Sequence, residues 1–505
     1  MMKAKPMQKV KTFLEKTPNA LLCVLGAVVF LAGFYFLTSR TPLNKIWLPT
    51  TMNNDEVLYN RQVVSVITHG GPQGYFGYQE GTADIGRYGT WGPLLIWAYA
   101  LPGFLFGSSV NVVLWCNLLF ITLGIAAFAR SAKLNWWQCI VLCAGLFAIA
   151  MPIRSCISGA SEAMHYMLAF LIVGSAAALH RTDKTGWLAV CAAACAVETI
   201  FRPYALLFWV FPLTAVWQNK RRRSACFVTA AAGFGVSLFA MAKLAAPYFS
   251  DGGMDFDGVQ MLLQGHPIAA IRYEWIRATA LLGNAWLYDI WPTIKGGKTY
   301  IGGGCVTFLV VVLAAVGCLL WDKRKGRPVV LKACALFCSA AIALVLLTMY
   351  NIDPRHMMLL AILLLGAIVV EDAAPAVVWL PILVVLLLPM NFERGSQPEM
   401  NEVMAAQMTV VEDALAADVQ AAGADPWDNT LAYTYDDGVF HGYLYAVPDG
   451  MGIEFDKNSY LWDAENPIYS RYVMCGHGTR VEERLLAENW QELVFTEDLV
   501  VYKRS

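Results

Sequence analysis

Charge is what this sequence has least of. Asp, Glu, Lys and Arg make up 15% of its 505 residues while 57% are hydrophobic; soluble globular proteins carry about 25% charged and 45–50% apolar residues. So little charge excludes a soluble cytoplasmic enzyme and a disordered chain, and leaves an integral membrane protein. Nor is there an internal repeat, the usual mark of a transporter built from two related halves. The C-terminal region lacks a glycine-rich phosphate loop, and nothing points to a nucleic-acid partner. Only Cys475 of the 13 cysteines lies beyond residue 391, so that region holds no internal disulfide. Cys139/Cys143, Cys191/Cys195 and Cys334/Cys338 are spaced i, i+4 in apolar runs. Only Glu198 is near enough in sequence to join a metal shell, so these cysteines read as packing residues.

The overall charge of −1 conceals a division at Asn391. Residues 1–391 hold 30 Lys and Arg against 17 Asp and Glu, whereas residues 392–505 hold 7 against 21. A basic membrane body is therefore followed by an acidic, water-soluble domain. Apolar runs that approach the ~20 residues needed to cross a bilayer are Ala20–Leu37, Val110–Ala129, Trp136–Pro152, Ala163–Leu179, Ala225–Pro247, Ile301–Leu320, Val329–Tyr350 and Ala374–Met390. Trp187–Phe201, Pro203–Trp217 and His356–Val370 are shorter, and with them about 11 transmembrane helices are expected.

Basic residues cluster before Ala20, at Arg130/Lys133, at Arg181/Lys184, at Lys220–Arg223 and at Lys323–Arg327. Cytoplasmic loops carry such excesses, and all five can lie inside only if Pro93–Phe106 does not cross the membrane and is a juxtamembrane or re-entrant helix. The amino terminus is then cytoplasmic, and the loops 38–109 and 248–304 lie outside with residues 392–505. That last part reads as a small extracytoplasmic α/β domain. Helices are expected at Met400–Ala422 and Thr479–Asn489, and strands at Thr430–Tyr435, Arg471–Cys475, Glu492–Thr496 and Leu499–Lys503.

Ionisable residues in a membrane body are costly and mark candidate sites. Here they gather at the outer ends of spans: Asp55 and Glu56 in NNDEVLYN, Arg154 and Glu162 flanking SCISGAS, Arg202 in ETIFRPYALL, and Arg355 and His356 in IDPRHMM. Each also has a plain structural reading. Asp55 and Glu56 suit the exposed start of a loop helix, and Arg154 and Arg355 suit the lipid headgroup level. Glu198 and Arg202 have the i, i+4 spacing of a helix salt bridge, and His165 that of a packed helix residue. Arg202 is the hardest to explain structurally. The two spans beside it have about 15 residues each, hence ~22 Å of helix against a ~30 Å hydrocarbon core. Its cation is thus held below the interface, where a water-filled cavity or an anion must meet it.

Taken in order, these features resemble the GT-C membrane glycosyltransferases of the protein mannosyltransferase and aminoarabinose transferase type. Asp55-Glu56 correspond to the acidic pair of the first outer loop, Gly92-Pro93 through Phe106-Gly107 to the helix that follows it, and Glu162 to the acidic position of the second loop. FRPYALL corresponds to a recurrent Arg-Pro helix hairpin. The resemblance implies a catalytic body over residues 1–391 in the plasma membrane. It would move a sugar, with inversion, from a polyprenyl-phosphate donor to a hydroxyl of a glycan, lipid or protein acceptor. Asp55 and Glu56 are then the catalytic carboxylates, and Arg202, Arg154, Arg355 and His356 bind the donor phosphate. Some members use a divalent metal, Mg or Mn, for which Asp55 and Glu162 are the candidate ligands. Two other readings remain beside this one. A ligase or polymerase of lipid-linked glycans would use His266, Arg272, Arg277, Lys295 and Lys298 of the second large loop. A transporter or flippase of lipid-linked sugars would need no carboxylate base.

Overall fold

The computed structural model describes residues 18–39, 42–49, 54–72, 76–81, 93–147, 149–217, 223–240, 242–243, 255–295, 303–371, 402–425, 428–434, 439–456 and 459–504. Helix α1 (Asn19–Ser39) leads to α2 (Asn54–His69), a three-residue strand β1 (Phe76–Tyr78) and α3 (Pro93–Gly103). Then come α4 (Val112–Ala132), α5 (Trp136–Phe147), α6 (Ala150–Cys156), α7 (Glu162–Thr182) and α8 (Thr185–Phe201). A 3-10 segment, Pro203–Trp209, runs into α9 (Val210–Trp217), followed by α10 (Arg223–Ala240). The second large loop carries α11 (Asp257–Leu263) and α12 (Pro267–Ala285). Helices α13 (Gly304–Arg324), α14 (Val330–Met349) and α15 (Pro354–Glu371) complete the described bundle.

Six of these, α1, α4, α7, α13, α14 and α15, are long and apolar enough to cross a membrane, and shorter apolar helices stand among them. Ten of the eleven expected spans coincide with described helices, and Ala374–Met390 lies outside the described residues. The expected span Trp136–Pro152 is broken at Ile149, whose backbone is extended at φ −90° and ψ 128°. Pro152 has no N–H for the carbonyl four residues earlier, so a continuous helix would lose a bond there. Helix α3 has 11 residues, too few to cross.

Helices α7 and α15 are buried along most of their length and form the centre of the bundle. Helix α1 instead leaves Val28, Val29 and Leu37 exposed, a face suited to lipid. The described basic loops, at Arg130/Lys133, Arg181/Lys184 and Lys323–Arg327, share one end of the bundle, where Gln138 also donates to the Val369 carbonyl at 2.8 Å; residues 1–17 and 218–222 lie outside the described residues. Arg181 donates to the carbonyls of Ser131 at 2.8 Å and Ala132 at 3.3 Å, which satisfies the free end of α4. Asn19, at the start of α1, donates to the Leu134 carbonyl at that same end. The fully buried Lys332 is there too, paired with Asp322 and lying 3.6 Å from Glu371. Glu371 in turn accepts from the backbone N–H groups of Leu331 at 2.8 Å and Lys332 at 3.1 Å, tying the end of α15 to the start of α14.

The C-terminal domain begins with α16 (Glu402–Ala421) and continues through β2 (Thr430–Thr434), β3 (Gly452–Asp456), β4 (Tyr472–Cys475), α17 (Arg480–Ala487), β5 (Gln491–Phe495) and β6 (Val500–Lys503). The sheet order is β1-β3-β2-β4-β6-β5, with the first four strands parallel and the last two antiparallel to their neighbours. Alternation divides the side chains between two faces. Leu431, Tyr433, Tyr472, Met474 and Val501 pack with Val411, Leu415 and Val419 of α16. Ala432, Val473, Cys475, Val500 and Tyr502 pack with Val481 and Leu485 of α17. Thr479 accepts from the Glu482 N–H while Glu482 accepts from that of Gly478, a reciprocal cap that starts α17. Strands β1 and β3 were not expected. The first has three residues, and the second carries Glu454 and Asp456 on a buried strand.

The Asp322–Lys332 pair gives a test of the bundle. Asp322→Ala leaves a buried ammonium with one partner fewer and is expected to lower stability by ~3–5 kcal/mol, whereas Asp322→Leu combined with Lys332→Met recovers most of that loss. Unfolding of the reconstituted protein in denaturing detergent measures both, and a loss below ~1 kcal/mol for Asp322→Ala would contradict the pairing.

Candidate active site

Opposite the basic loops, four parts of the chain meet: the first turn of α2, the loop before α7, the junction after α8 and the start of α15. Their meeting depends on small and polar residues. Asn117 of α4, wholly buried, donates to the carbonyls of Ser155 at 3.2 Å, Ser158 at 2.9 Å and Ala160 at 2.8 Å, and accepts from Tyr99 of α3 at 2.7 Å. This fixes the loop that precedes Glu162. Gly159 in that loop lies so close to α2 that a Cβ would stand 2.2 Å from the Glu56 carbonyl oxygen. Gly304, opening α13, presses in the same way on the carbonyl of Pro354, where a Cβ would stand 2.3 Å away.

Glu162, the first residue of α7, joins two cations. Its Oε1 is 3.2 Å from Nη2 of Arg202 and 3.9 Å from Nη1 of Arg355. The same Arg355 nitrogen lies 3.7 Å from Oδ2 of Asp55. Accessibility grades across the group, from 31% for the Asp55 side chain and 17% for Arg355 to 3% for Arg202, so the site opens past Asp55. Nη1 of Arg202 donates to Tyr204 and to Nδ1 of His356, both at 3.1 Å, and the Tyr204 hydroxyl lies 2.6 Å from that same Nδ1. Because a guanidinium only donates, Nδ1 of His356 must accept, which assigns the ring proton to Nε2. Nε of Arg202 and Oε2 of Glu162 are buried without a hydrogen-bond partner among the described residues. Buried polar atoms are seldom left so, and these two mark where a polar ligand would bind.

The structure thus brings together Asp55, Glu162, Arg202, Arg355 and His356, which are scattered over 300 residues of sequence. Glu56 and Arg154 form a separate enclosed ion pair beside them, with side-chain exposures of 0% and 7%. The i, i+4 pair of Glu198 with Arg202 is not the arrangement found. Arg202 has left the helix, at φ −137° and ψ 100°, so its side chain departs from the α8 face and goes to Glu162. Glu198 instead holds Nδ1 of His165 at 2.9 Å. The space between Asp55 and Glu162 is taken by the Arg355 guanidinium, and no group of three His, Cys, Asp or Glu converges among the described residues. As placed, this pair of carboxylates does not fit a divalent ion. In the second large loop, Arg277 is tied to Asp255 and to the Tyr350 carbonyl, Lys295 lies over the Trp291 ring, and Lys298 falls outside the described residues.

Asp353 was missed in the sequence. It accepts from Nη2 of Arg355 at 3.1 Å, from Nε at 3.2 Å and from its backbone N–H at 2.8 Å. An Asp followed by Pro354 is a helix-start signal that could have revealed it. Burial would raise its carboxyl pKa, but the charge and hydrogen bonds of Arg355 outweigh that and hold it well below the ordinary range. Tyr204 and Tyr350, whose rings meet His356 edge-on at 5.4 Å, carried no sequence signal.

No protein-family model matches the chain, and no curated protein matches it. Among solved structures it is similar to a crystal structure of ArnT from Cupriavidus metallidurans in the apo state, with 14% identity over 95% of this chain and 97% of that one and a TM-score of 0.42. It is similar as well to the crystal structure of ArnT from that organism bound to undecaprenyl phosphate, at 15% identity with the same coverage and TM-score.

Glu56 supplies a pH test. Burial raises its carboxyl from the ordinary 4.5 to about 7, against the opposing pull of Arg154 and Arg355. Between those values the unfolded chain releases a proton that the folded chain keeps, so this group's contribution to stability falls as pH rises, by about 3 kcal/mol in all. Glu56→Gln lacks that dependence. Thermal unfolding of the two proteins at pH 4.5 and pH 7.5 should show the variant gaining on the parent at the higher pH, and a constant difference would contradict the assignment.

Proposed function

We propose that this protein is an inverting glycosyltransferase of the plasma membrane that moves a sugar from a polyprenyl-phosphate donor to an acceptor hydroxyl on the outer face. The observation that carries the reading is the junction of a half-open carboxylate, Asp55, with two arginines held at one end of the bundle by Glu162. The distribution of basic loops supports the orientation, with the amino terminus cytoplasmic and the C-terminal domain outside. The GT-C pattern of Asp55-Glu56, Pro93, Glu162 and Arg202-Pro203 supports the reaction class.

In this reaction the acceptor oxygen attacks the anomeric carbon from the face opposite the phosphate. As the new C–O bond forms, the bond to the phosphate oxygen breaks and its electron pair leaves with the polyprenyl phosphate, which gains one negative charge. Asp55, the most open carboxylate of the group, takes the hydroxyl proton. Glu162 suits the role less well, because its Oε1 already serves two guanidiniums. Arg355 is the accessible cation and would meet the phosphate first. Arg202 would add its unpartnered Nε–H from behind, and His356 its Nε2–H. Such fixed donors favour the leaving group over the ground state because its charge grows as the bond breaks.

Asp55→Asn keeps the size of the side chain and removes the base. Turnover is expected to fall by ~100- to 10,000-fold while donor binding survives. Arg202→Ala should weaken both donor affinity and rate, and Arg202→Lys should restore only part, since an ammonium cannot reproduce the fork. Equilibrium binding and single-turnover rates with a purified polyprenyl-phosphate sugar and its acceptor test these outcomes. Near-normal turnover by Asp55→Asn would overturn the mechanism and favour the ligase reading.

A further inference from the structure

Helix α2, which carries Asp55 and Glu56 in its first turn, belongs to two hydrophobic cores. Val63 and Val66 pack into the membrane bundle, whereas Val57 and Leu58 pack into the core of the C-terminal domain with Tyr433, Leu444 and Phe455. The polar contacts point the same way. Arg61 donates to the carbonyls of Leu444 at 3.3 Å, Val447 at 2.7 Å, Pro448 at 3.0 Å and Met451 at 3.3 Å. About two turns further on, Thr68 and His69 contact the Asp449 carboxylate at 3.1 and 2.8 Å. The chain after α2 then enters the domain's sheet as β1, paired parallel with β3 from Phe76↔Ile453 to Tyr78↔Phe455.

A helix of 16 residues is marginal by itself in water, and its first turn is where it frays most readily. The position of Asp55 and Glu56 must therefore be imposed from outside the helix, and the bundle contacts only one side of it. On the other side the helix meets the 3-10 turn His441–Ala446 of the C-terminal domain, and that turn carries Tyr445. Its hydroxyl and Oε2 of Glu56 are both buried without a hydrogen-bond partner among the described residues. Burial first, and then the charge of Glu56, push the Tyr445 hydroxyl above its ordinary range, with Arg61 opposing.

We infer that the C-terminal domain is a working part of the catalytic centre: Arg61 docks α2 against it, and Tyr445 donates to Oε2 of Glu56 through one water. Both are positioning residues, acting on the acceptor side of the reaction through the Asp55-Glu56 turn. The inference builds on the glycosyltransferase reading, but the docking half of it can be tested without any assay of turnover.

Full-length protein in lipid nanodiscs is compared as Arg61→Ala, Tyr445→Phe and Lys503→Met, the last removing a 2.6 Å contact with Asp418 at a site remote from α2. Hydrogen exchange should speed up over residues 54–69 in Arg61→Ala and remain unchanged there in Lys503→Met. With a polyprenyl-phosphate sugar as substrate, Arg61→Ala and Tyr445→Phe should lower kcat about ten- to hundred-fold, the worth of one hydrogen bond to a charged group, and leave the donor KM within about twofold. In a Glu56→Gln background, Tyr445→Phe should cost little more, because its partner is already altered. Unchanged exchange over α2 in Arg61→Ala would overturn the docking role. Equal, additive losses with and without Glu56 would overturn the role of Tyr445. If turnover is absent from the parent protein while the exchange result holds, the glycosyltransferase reading fails and the docking stands.

Discussion

Two arginines share one buried carboxylate, and the arrangement of their end of the bundle follows from it. A guanidinium removed from water is tolerable only when anions or hydrogen-bond acceptors surround it. Glu162 meets this need for Arg202 and Arg355 together, at 3.2 and 3.9 Å. For one carboxylate to reach both, the start of α7, the end of α8 and the start of α15 must lie at one level. Asn117, Gly159 and Gly304 fix that level by a threefold carbonyl contact and two close approaches that leave no room for a Cβ. Asp353, at 3.1 Å, and Asp55, at 3.7 Å, complete the charge balance around Arg355, so a phosphate would be held here by directed guanidinium N–H groups rather than by net charge, and Asp55 stands at the open edge.

The opposite end of the bundle meets the same constraint by different means. Lys332 is fully buried there, with Asp322 and Glu371 around it. That cluster joins helix ends around a wholly buried Lys332, whereas the Asp55 cluster is graded from open to enclosed. The contrast separates an ion cluster that joins helices from the candidate site.

Much of this was legible in the sequence, because ionisable residues are rare in the membrane body and the few at the outer span ends stand out. Asp55, Glu162, Arg202 and Arg355 were all visible in that way. Which cation meets which anion was not. The spacing of Glu198 and Arg202 suggests a pair, but the helix ends one residue before Arg202, and sequence patterns locate such ends poorly. The sharing of α2 between two domains was equally hidden. Val57 and Leu58 look like ordinary apolar loop-helix residues, and Phe76–Tyr78 is too short to show the alternation of a strand. Both owe their places to partners nearly 400 positions away, which no local pattern encodes.

The most direct measurement is a structure of the protein in a lipid nanodisc with a polyprenyl phosphate bound. The phosphate is expected within hydrogen-bonding reach of Arg355 and of Nε of Arg202, with Asp55 facing the open side and the prenyl chain leading out into the membrane. A phosphate held instead by the second large loop, or at the basic end of the bundle, would contradict the site.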